Sequence, residues 1–152
     1  MATIGRVNKI PISGYDIEWQ ISDFFSLSVI DNNESYSSPL FSFAGATWLL
    51  KMYPNGTRMG DACIIVFLKR KSSGPPIRLE FSLGLKTSTG RDPIEHYTYL
   101  FEEADEGYGF ARCPSQSEIL ERESELMPSG ILTIFCSLSC KELIDDTSKF
   151  IR

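Results

Sequence analysis

The stretch that decides the fold is residues 44–56, Ala44-Gly45-Ala46-Thr47-Trp48-Leu49-Leu50-Lys51-Met52-Tyr53-Pro54-Asn55-Gly56. Trp48, Leu50 and Met52 fall on one face of this run and the residues between them on the other, which is the two-residue period of a pleated strand. Pro54 cannot donate a hydrogen bond to a neighbouring strand, and the Asn-Gly pair after it readily adopts positive φ. The run therefore predicts a strand that ends in a tight turn.

Similar strand signals recur along the chain with turn residues between them. Apolar positions alternate with polar ones, or run together as in a strand covered on both faces, in segments 15–21, 38–43, 62–68, 77–85, 96–101 and 131–139. Ser115 and Glu118 have the spacing of a helix capping box, and we expect Ile119 and Leu120 to face the core. The pattern predicts an all-β protein, an antiparallel β-sandwich of seven or eight strands with one short helix near residues 115–124. We expect Trp19, Phe41 and Trp48 in its core.

Length and composition indicate one domain with two flanking segments. The 152 residues suit a single core, and the strand signals divide the chain into an N-terminal segment (1–14), a domain (15–140) and a linker or tail (141–152). The net charge of −5 argues against nucleic-acid binding, which needs a basic surface. No apolar run approaches the ~20 residues that span a bilayer, so no membrane segment is expected.

The sequence offers little for catalysis or metal binding. The four cysteines form no CxxC pair and there is one histidine, so we expect no metal site and no cofactor. Free, reduced cysteines are typical of a cytoplasmic or nuclear protein. His96 lies in none of the common catalytic motifs, and the carboxylates within residues 102–106 are typical of a solvated loop. We therefore expect that the protein is not an enzyme.

Six segments in order resemble the MATH (meprin and TRAF-C homology) domain family. They are Ile17-x-Trp19-x-Ile21, Ser38-Pro39-x-Phe41, the stretch 45–56, the apolar run 63–68, Tyr108-Gly109-Phe110 and the closing strand 132–136. The resemblance implies a β-sandwich that binds peptides, and it is closest to the MATH-BTB group. In that group the MATH domain binds short extended motifs in protein substrates, and a BTB domain docks a cullin-RING ubiquitin ligase.

Two functions follow from the resemblance. The first is substrate recognition for such a ligase, through a BTB partner or a BTB domain beyond residue 152. The alternative is a TRAF-type signalling adaptor that binds receptor tails. That role usually needs a trimerising coiled coil upstream, and residues 1–14 contain no heptad pattern.

The resemblance also implies that this chain has a peptide groove like that of the MATH-BTB group. The implied peptide-binding residues are Val66, Leu79, Tyr99, Phe101, Glu106, Tyr108, Gly109, Phe110 and Arg112. For Tyr97, Tyr99 and Phe101 two interpretations stay open, a core-facing stripe or part of the site, whereas Tyr108 is expected to be exposed. Because the acidic loop 102–106 replaces basic residues of that group, we expect a preference for neutral or basic peptides over acidic ones.

Overall fold

Strands dominate the computed structural model, which describes residues 13–27, 34–54, 63–109 and 114–140. The strands are β1 (Ser13–Ser22), β2 (Tyr36–Ser37), β3 (Phe41–Phe43), β4 (Ala46–Tyr53), β5 (Ile65–Arg70), β6 (Ile77–Thr87), β7 (Gly90–Phe101), β8 (Gly107–Tyr108) and β9 (Ile131–Cys140). Three short helices, α1 (Phe24–Leu27), α2 (Gln116–Glu121) and α3 (Glu123–Leu126), and a 3₁₀ turn (Pro128–Gly130) complete the described elements.

The strands form two antiparallel sheets. Sheet I has the order β1-β9-β6-β7, and sheet II has the order β2-β4-β5-β8 with β3 also paired to β4. The inner faces of both sheets contribute to one apolar core, so the predicted all-β sandwich is confirmed. The described residues hold nine strands rather than seven or eight, because two-residue strands such as β2 and β8 are too short to show an alternating pattern.

Trp48 lies at the centre of the core. Its side chain has no exposed surface, its indole N–H donates to the Phe43 carbonyl at 2.8 Å, and the Phe101 ring meets it edge-on at 5.0 Å. This confirms the prediction for Trp48. The prediction for Trp19 and Phe41 was too strong, because both are only half-buried against the core. Trp19 lies on β1, which ends sheet I and therefore has one open side.

The hairpin between β3 and β4 uses a two-residue turn with an unusual backbone. Ala44 and Gly45 have φ of 54° and 76°, which is typical of the type I′ turn that matches the twist of paired strands. Glycine adopts this conformation without strain, whereas alanine does not. The turn sets Phe43 opposite Ala46 and Phe41 opposite Trp48, and so fixes the register of the Trp48 strand.

The predicted helix forms as two short pieces, α2 and α3. The Ser115 hydroxyl accepts a hydrogen bond from the Glu118 backbone N–H at 3.2 Å, which confirms the predicted N-cap. Ile119 is buried as expected, but the prediction for Leu120 is wrong, since 60% of its side chain is exposed. Adjacent helical residues point about 100° apart, and the second core contact comes instead from Leu126, seven residues after Ile119.

Three further observations bear on function. Cys63, Cys136 and Cys140 form no disulfide, and Cys113 lies outside the described residues. Burial holds the pKa of the Cys136 thiol well above its ordinary value. Within the described ranges no helix is long and apolar enough to cross a membrane, and no cluster of His, Cys, Asp and Glu could hold a metal ion.

Candidate functional site

Three tyrosines lie where the open sides of the two sheets meet. Tyr97 and Tyr99 belong to β7, the last strand of sheet I, and Tyr108 belongs to β8, the last strand of sheet II. We call these three residues the aromatic edge. Among the described residues no strand pairs with the outer side of β7 or of β8. Their outward backbone groups are therefore placed to accept an additional extended strand.

Tyr108 is the exposed member of the aromatic edge. Its ring lies parallel to the Tyr99 ring, with centroids 3.9 Å apart, and meets the Tyr97 ring edge-on at 6.0 Å. Even so, 41% of the side chain remains exposed. This agrees with the predicted exposure of Tyr108. A ring held rigidly on one face and open on the other offers contact area to a ligand at a low cost in conformational entropy.

The structure resolves the two interpretations of the aromatic stripe on β7. Tyr97, Tyr99 and Phe101 alternate with outward residues and lie on the inner face, opposite Phe81, Leu79 and Ile77 of β6. Phe101 is fully buried and is a core residue. Tyr97 and Tyr99 are half-buried, so they extend the core to its open side and also support Tyr108.

Glu106 connects the aromatic edge to the acidic loop. Its carboxylate accepts a short hydrogen bond from the Tyr99 hydroxyl, and it also accepts from the backbone N–H groups of Glu102 at 2.8 Å and Glu103 at 3.2 Å. The Tyr99 hydroxyl and then the Glu102 N–H hold the pKa of Glu106 below its ordinary value, and the same hydrogen bond raises the pKa of Tyr99. Glu106 thus orients the Tyr99 ring and closes the loop, and the peptide contact predicted for it stays a prediction.

Arg70 ties the same loop to the core, and it was not among the predicted site residues. It is 1% exposed, and its Nη1 donates to the Phe101 carbonyl at 2.9 Å. Its backbone N–H donates to the Glu106 carbonyl at 2.9 Å, and its carbonyl accepts from the Asp105 N–H at 2.6 Å. The period of β5 could have revealed it, because Arg70 follows Val66 and Leu68 on the inner face, whereas its basic neighbours suggested the end of the strand.

Gly109 allows the chain to pass close to the core directly after Tyr108. Its φ is +100°, and a Cβ atom there would lie 3.1 Å from Leu83 Cδ1 and 3.1 Å from Phe81 Cε2. Gly109 is buried, so it contributes close packing rather than exposed surface. A side chain larger than hydrogen would crowd Phe81 and Leu83 and push this part of the chain, and Tyr108 with it, away from β6.

The remaining predicted site residues fall into two groups. Val66, Leu79 and Phe101 have no exposed surface. Leu79 pairs with Tyr99 and the Phe101 ring contacts the Tyr99 ring, and the part of all three residues in peptide binding stays a prediction. Their burial follows from strand alternation, which places them on the inner faces of β5, β6 and β7. Phe110 and Arg112 lie outside the described residues.

The acidic loop is partly neutralised by its own contacts. Asp105 forms an ion pair with Lys71 at 2.5 Å, which lowers the pKa of Asp105, and Glu106 is turned towards Tyr99. Glu102 and Glu103 are exposed. The expected preference of the site for neutral or basic peptides therefore rests on Glu102 and Glu103, and it stays a prediction.

Comparison with known proteins places the whole sandwich in one family. The sequence model of the MATH domain matches residues 16–138, from β1 to β9. No curated protein matched the chain.

Proposed function

Because the chain belongs to the MATH domain family of protein-interaction domains, we propose that its aromatic edge binds a short extended peptide within a partner protein. The observation that carries this proposal is the Tyr108 ring, which stacks on Tyr99 and stays 41% exposed beside two sheet edges that the described residues leave unpaired. A peptide in this position pairs its backbone with a sheet edge, and its alternate side chains pack against the tyrosines.

We further propose that the bound proteins are substrates of a cullin-RING ubiquitin ligase. The order of Tyr99, Phe101 and Tyr108 along the chain supports this, because it resembles the peptide groove of the MATH-BTB group. The link to the ligase would come from a BTB domain in a partner or elsewhere in the polypeptide. Purification of the protein from cells should recover a cullin scaffold together with the substrate. Recovery of trimeric receptor complexes without a cullin would favour the signalling-adaptor alternative.

Variants of Tyr108 test the peptide site directly. A peptide selected from a display library is titrated against the parent chain, Tyr108→Ala and Tyr108→Phe by calorimetry. Tyr108→Ala should weaken binding by about 2 kcal/mol, roughly thirtyfold, as expected for a hot-spot residue. Tyr108→Phe keeps the stacked ring and should lose much less.

The thermal stability of the variants separates binding from folding. Tyr108 makes two ring contacts of about 0.5–1.5 kcal/mol each, so Tyr108→Ala should unfold more easily but still cooperatively. Unchanged peptide affinity in a folded Tyr108→Ala protein would refute the proposed site. Charge preference is measured in the same assay, with peptides that differ only in net charge.

A further inference from the structure

The outer face of sheet II carries a second cluster that the aromatic edge does not use. Lys51 and Tyr53 of β4, Phe67 and Lys69 of β5, and Lys71 directly after β5 lie on this face, which we call the lysine face. Alternation along β5 from Val66 onwards establishes the direction, because Val66, Leu68 and Arg70 belong to the inner side and are 0–1% exposed. Leu49 and Ile65 also lie on the outer face, but each is only 9% exposed. Lys71 continues the pairing beyond β5, since its backbone N–H donates to the Thr47 carbonyl at 2.8 Å.

The lysine face combines positive charge with aromatic surface. Lys51 lies opposite Phe67, and Tyr53 meets the Phe67 ring edge-on at 5.8 Å. No outward-facing position of β4 or β5 is acidic, although the whole chain has a net charge of −5. Within the described residues neither Lys51 nor Lys69 forms an ion pair or a hydrogen bond through its side chain. The cluster is therefore a local positive surface on an acidic protein.

The surroundings of Asp105 show that the lysine face stabilises a negative charge. Its carboxylate lies at one corner of the lysine face, 2.5 Å from the Lys71 ammonium. Lys71 lowers the pKa of Asp105 most, and Lys69 and Lys51 lower it further. All three lysines therefore stabilise a carboxylate at the margin of the cluster, and two of them have no counter-ion of their own among the described residues.

We propose that the lysine face binds an acidic, extended peptide segment of a partner protein. Phe67, Lys69 and Lys71 follow one another at every second position, so their Cα atoms are spaced by about 6.4–6.8 Å, the two-residue repeat of an extended chain. A peptide with an apolar residue and two carboxylates at alternate positions matches this spacing. Its apolar side chain packs on Phe67 and Tyr53, one carboxylate pairs with Lys69 beside Lys51, and the other competes with Asp105 for Lys71.

This second surface is separate from the proposed peptide site. Tyr108 lies opposite Leu68, and Leu68 points into the core, whereas Lys69 and Phe67 point away from it. Binding at the lysine face therefore does not depend on binding at the aromatic edge. We expect the aromatic edge to prefer neutral or basic peptides and the lysine face to prefer acidic ones, so one experiment can tell the two surfaces apart.

The test uses two synthetic peptides of identical composition and the full 152-residue chain. One peptide has the order Phe-x-Glu-x-Glu, with small uncharged residues at x, and the other has its two glutamates adjacent, so that they point to opposite sides. Binding is measured by fluorescence anisotropy at low and high salt. The alternating peptide should bind more tightly than the permuted one, and salt should weaken its binding.

Four variants locate the binding surface. Lys69→Ala should weaken binding about two- to fivefold, as expected for one exposed ion pair, and Lys51→Glu combined with Lys69→Glu about tenfold or more. Lys86→Glu is the matched control, because Lys86 is an exposed lysine on the outer face of sheet I. Lys86→Glu and Tyr108→Ala should leave the affinity within about twofold of the parent chain.

Three results would overturn the proposal. Equal affinity of the parent chain and the double charge reversal would place the ligand elsewhere. Loss of binding in Tyr108→Ala would assign the ligand to the aromatic edge. Equal affinity for the two peptides would show that the spacing of the carboxylates does not matter. Cooperative thermal unfolding confirms that each variant is folded. The melting temperature should stay unchanged for Lys69→Ala, whereas it should fall for Tyr108→Ala, which loses two ring contacts, and for Lys86→Glu, which loses its ion pair with Glu18.

Discussion

Replacing Gly109 with alanine should destabilise the protein for two separable reasons. At a φ of +100° an L-residue is strained, by about 1–2 kcal/mol on the scale of left-handed backbone. The new Cβ would also lie 3.1 Å from both Leu83 Cδ1 and Phe81 Cε2, and crowding of a packed core costs about 1–3 kcal/mol. Alanine also restricts the unfolded chain more than glycine does, which offsets about 0.4–1 kcal/mol of this loss. The expected net loss is therefore about 1–4.5 kcal/mol.

Two other glycines provide matched controls for the two contributions. Gly45 has a φ of +76° and no atom within 4 Å of the place that a Cβ would occupy, and Gly14 has neither a positive φ nor a close neighbour. Gly45→Ala should therefore cost about 1 kcal/mol, from the backbone alone. Gly14→Ala should stabilise the protein by about 0.4–1 kcal/mol, because it only restricts the unfolded chain. The difference between the Gly109 and Gly45 variants then measures the contact with Phe81 and Leu83.

Urea unfolding of the three variants gives these free energies by linear extrapolation. Equal losses for Gly109→Ala and Gly45→Ala would refute the close approach of β8 to β6. A neutral Gly109→Ala would contradict its left-handed backbone as well. Both results would also weaken the proposed peptide site, since Gly109 holds Tyr108 against Tyr99.

Three further predictions concern the core, the hairpin and pH. Trp48→Ala should lower the free energy of unfolding by about 3–5 kcal/mol, and a loss under about 1 kcal/mol would place Trp48 at the surface. Ala44→Asn should raise the melting temperature, because asparagine before glycine favours the type I′ turn. The lowered pKa values of Asp105 and Glu106 mean that their contribution to stability is present above the ordinary carboxyl pKa and is lost as pH falls through their folded values. Tyr99→Phe removes the hydrogen bond that lowers the pKa of Glu106 most. The free energy of unfolding of this variant should therefore fall less than that of the parent chain between about pH 7 and pH 3, and an identical fall would contradict this.

The sequence predicted the sandwich because strand alternation and turn residues act locally. Trp48, Leu50 and Met52 share a face in any pleated strand, and their burial followed. The degree of burial of Trp19 and Leu120 could not be predicted from such local patterns. Trp19 is half-buried because β1 became the end of a sheet, and Leu120 is exposed because α2 presents Ile119 to the core. Both outcomes depend on how elements pack.

The candidate site was predictable only in part for the same reason. Tyr108 could be expected at the surface because glycines flank it in a polar segment. Alternation places Leu79 and Phe101 on the apolar face of their strands, but which residues of that face remain accessible to a ligand depends on how the two sheets pack, which one sequence does not give. The role of Glu106 depends on a hydrogen bond to Tyr99, seven residues earlier, and such contacts across a loop leave no periodic signal.

Strand β5 explains why one small sandwich can present two different surfaces. Its inner residues Leu68 and Arg70 support the aromatic edge, because Leu68 pairs with Tyr108 and Arg70 holds the loop before β8. The alternate residues Phe67 and Lys69 face away. A single strand with a two-residue period therefore contributes to an uncharged tyrosine surface on one side and a positive surface on the other. Because the side chains on the two faces do not touch, substitutions on one face should alter binding there without changing the other.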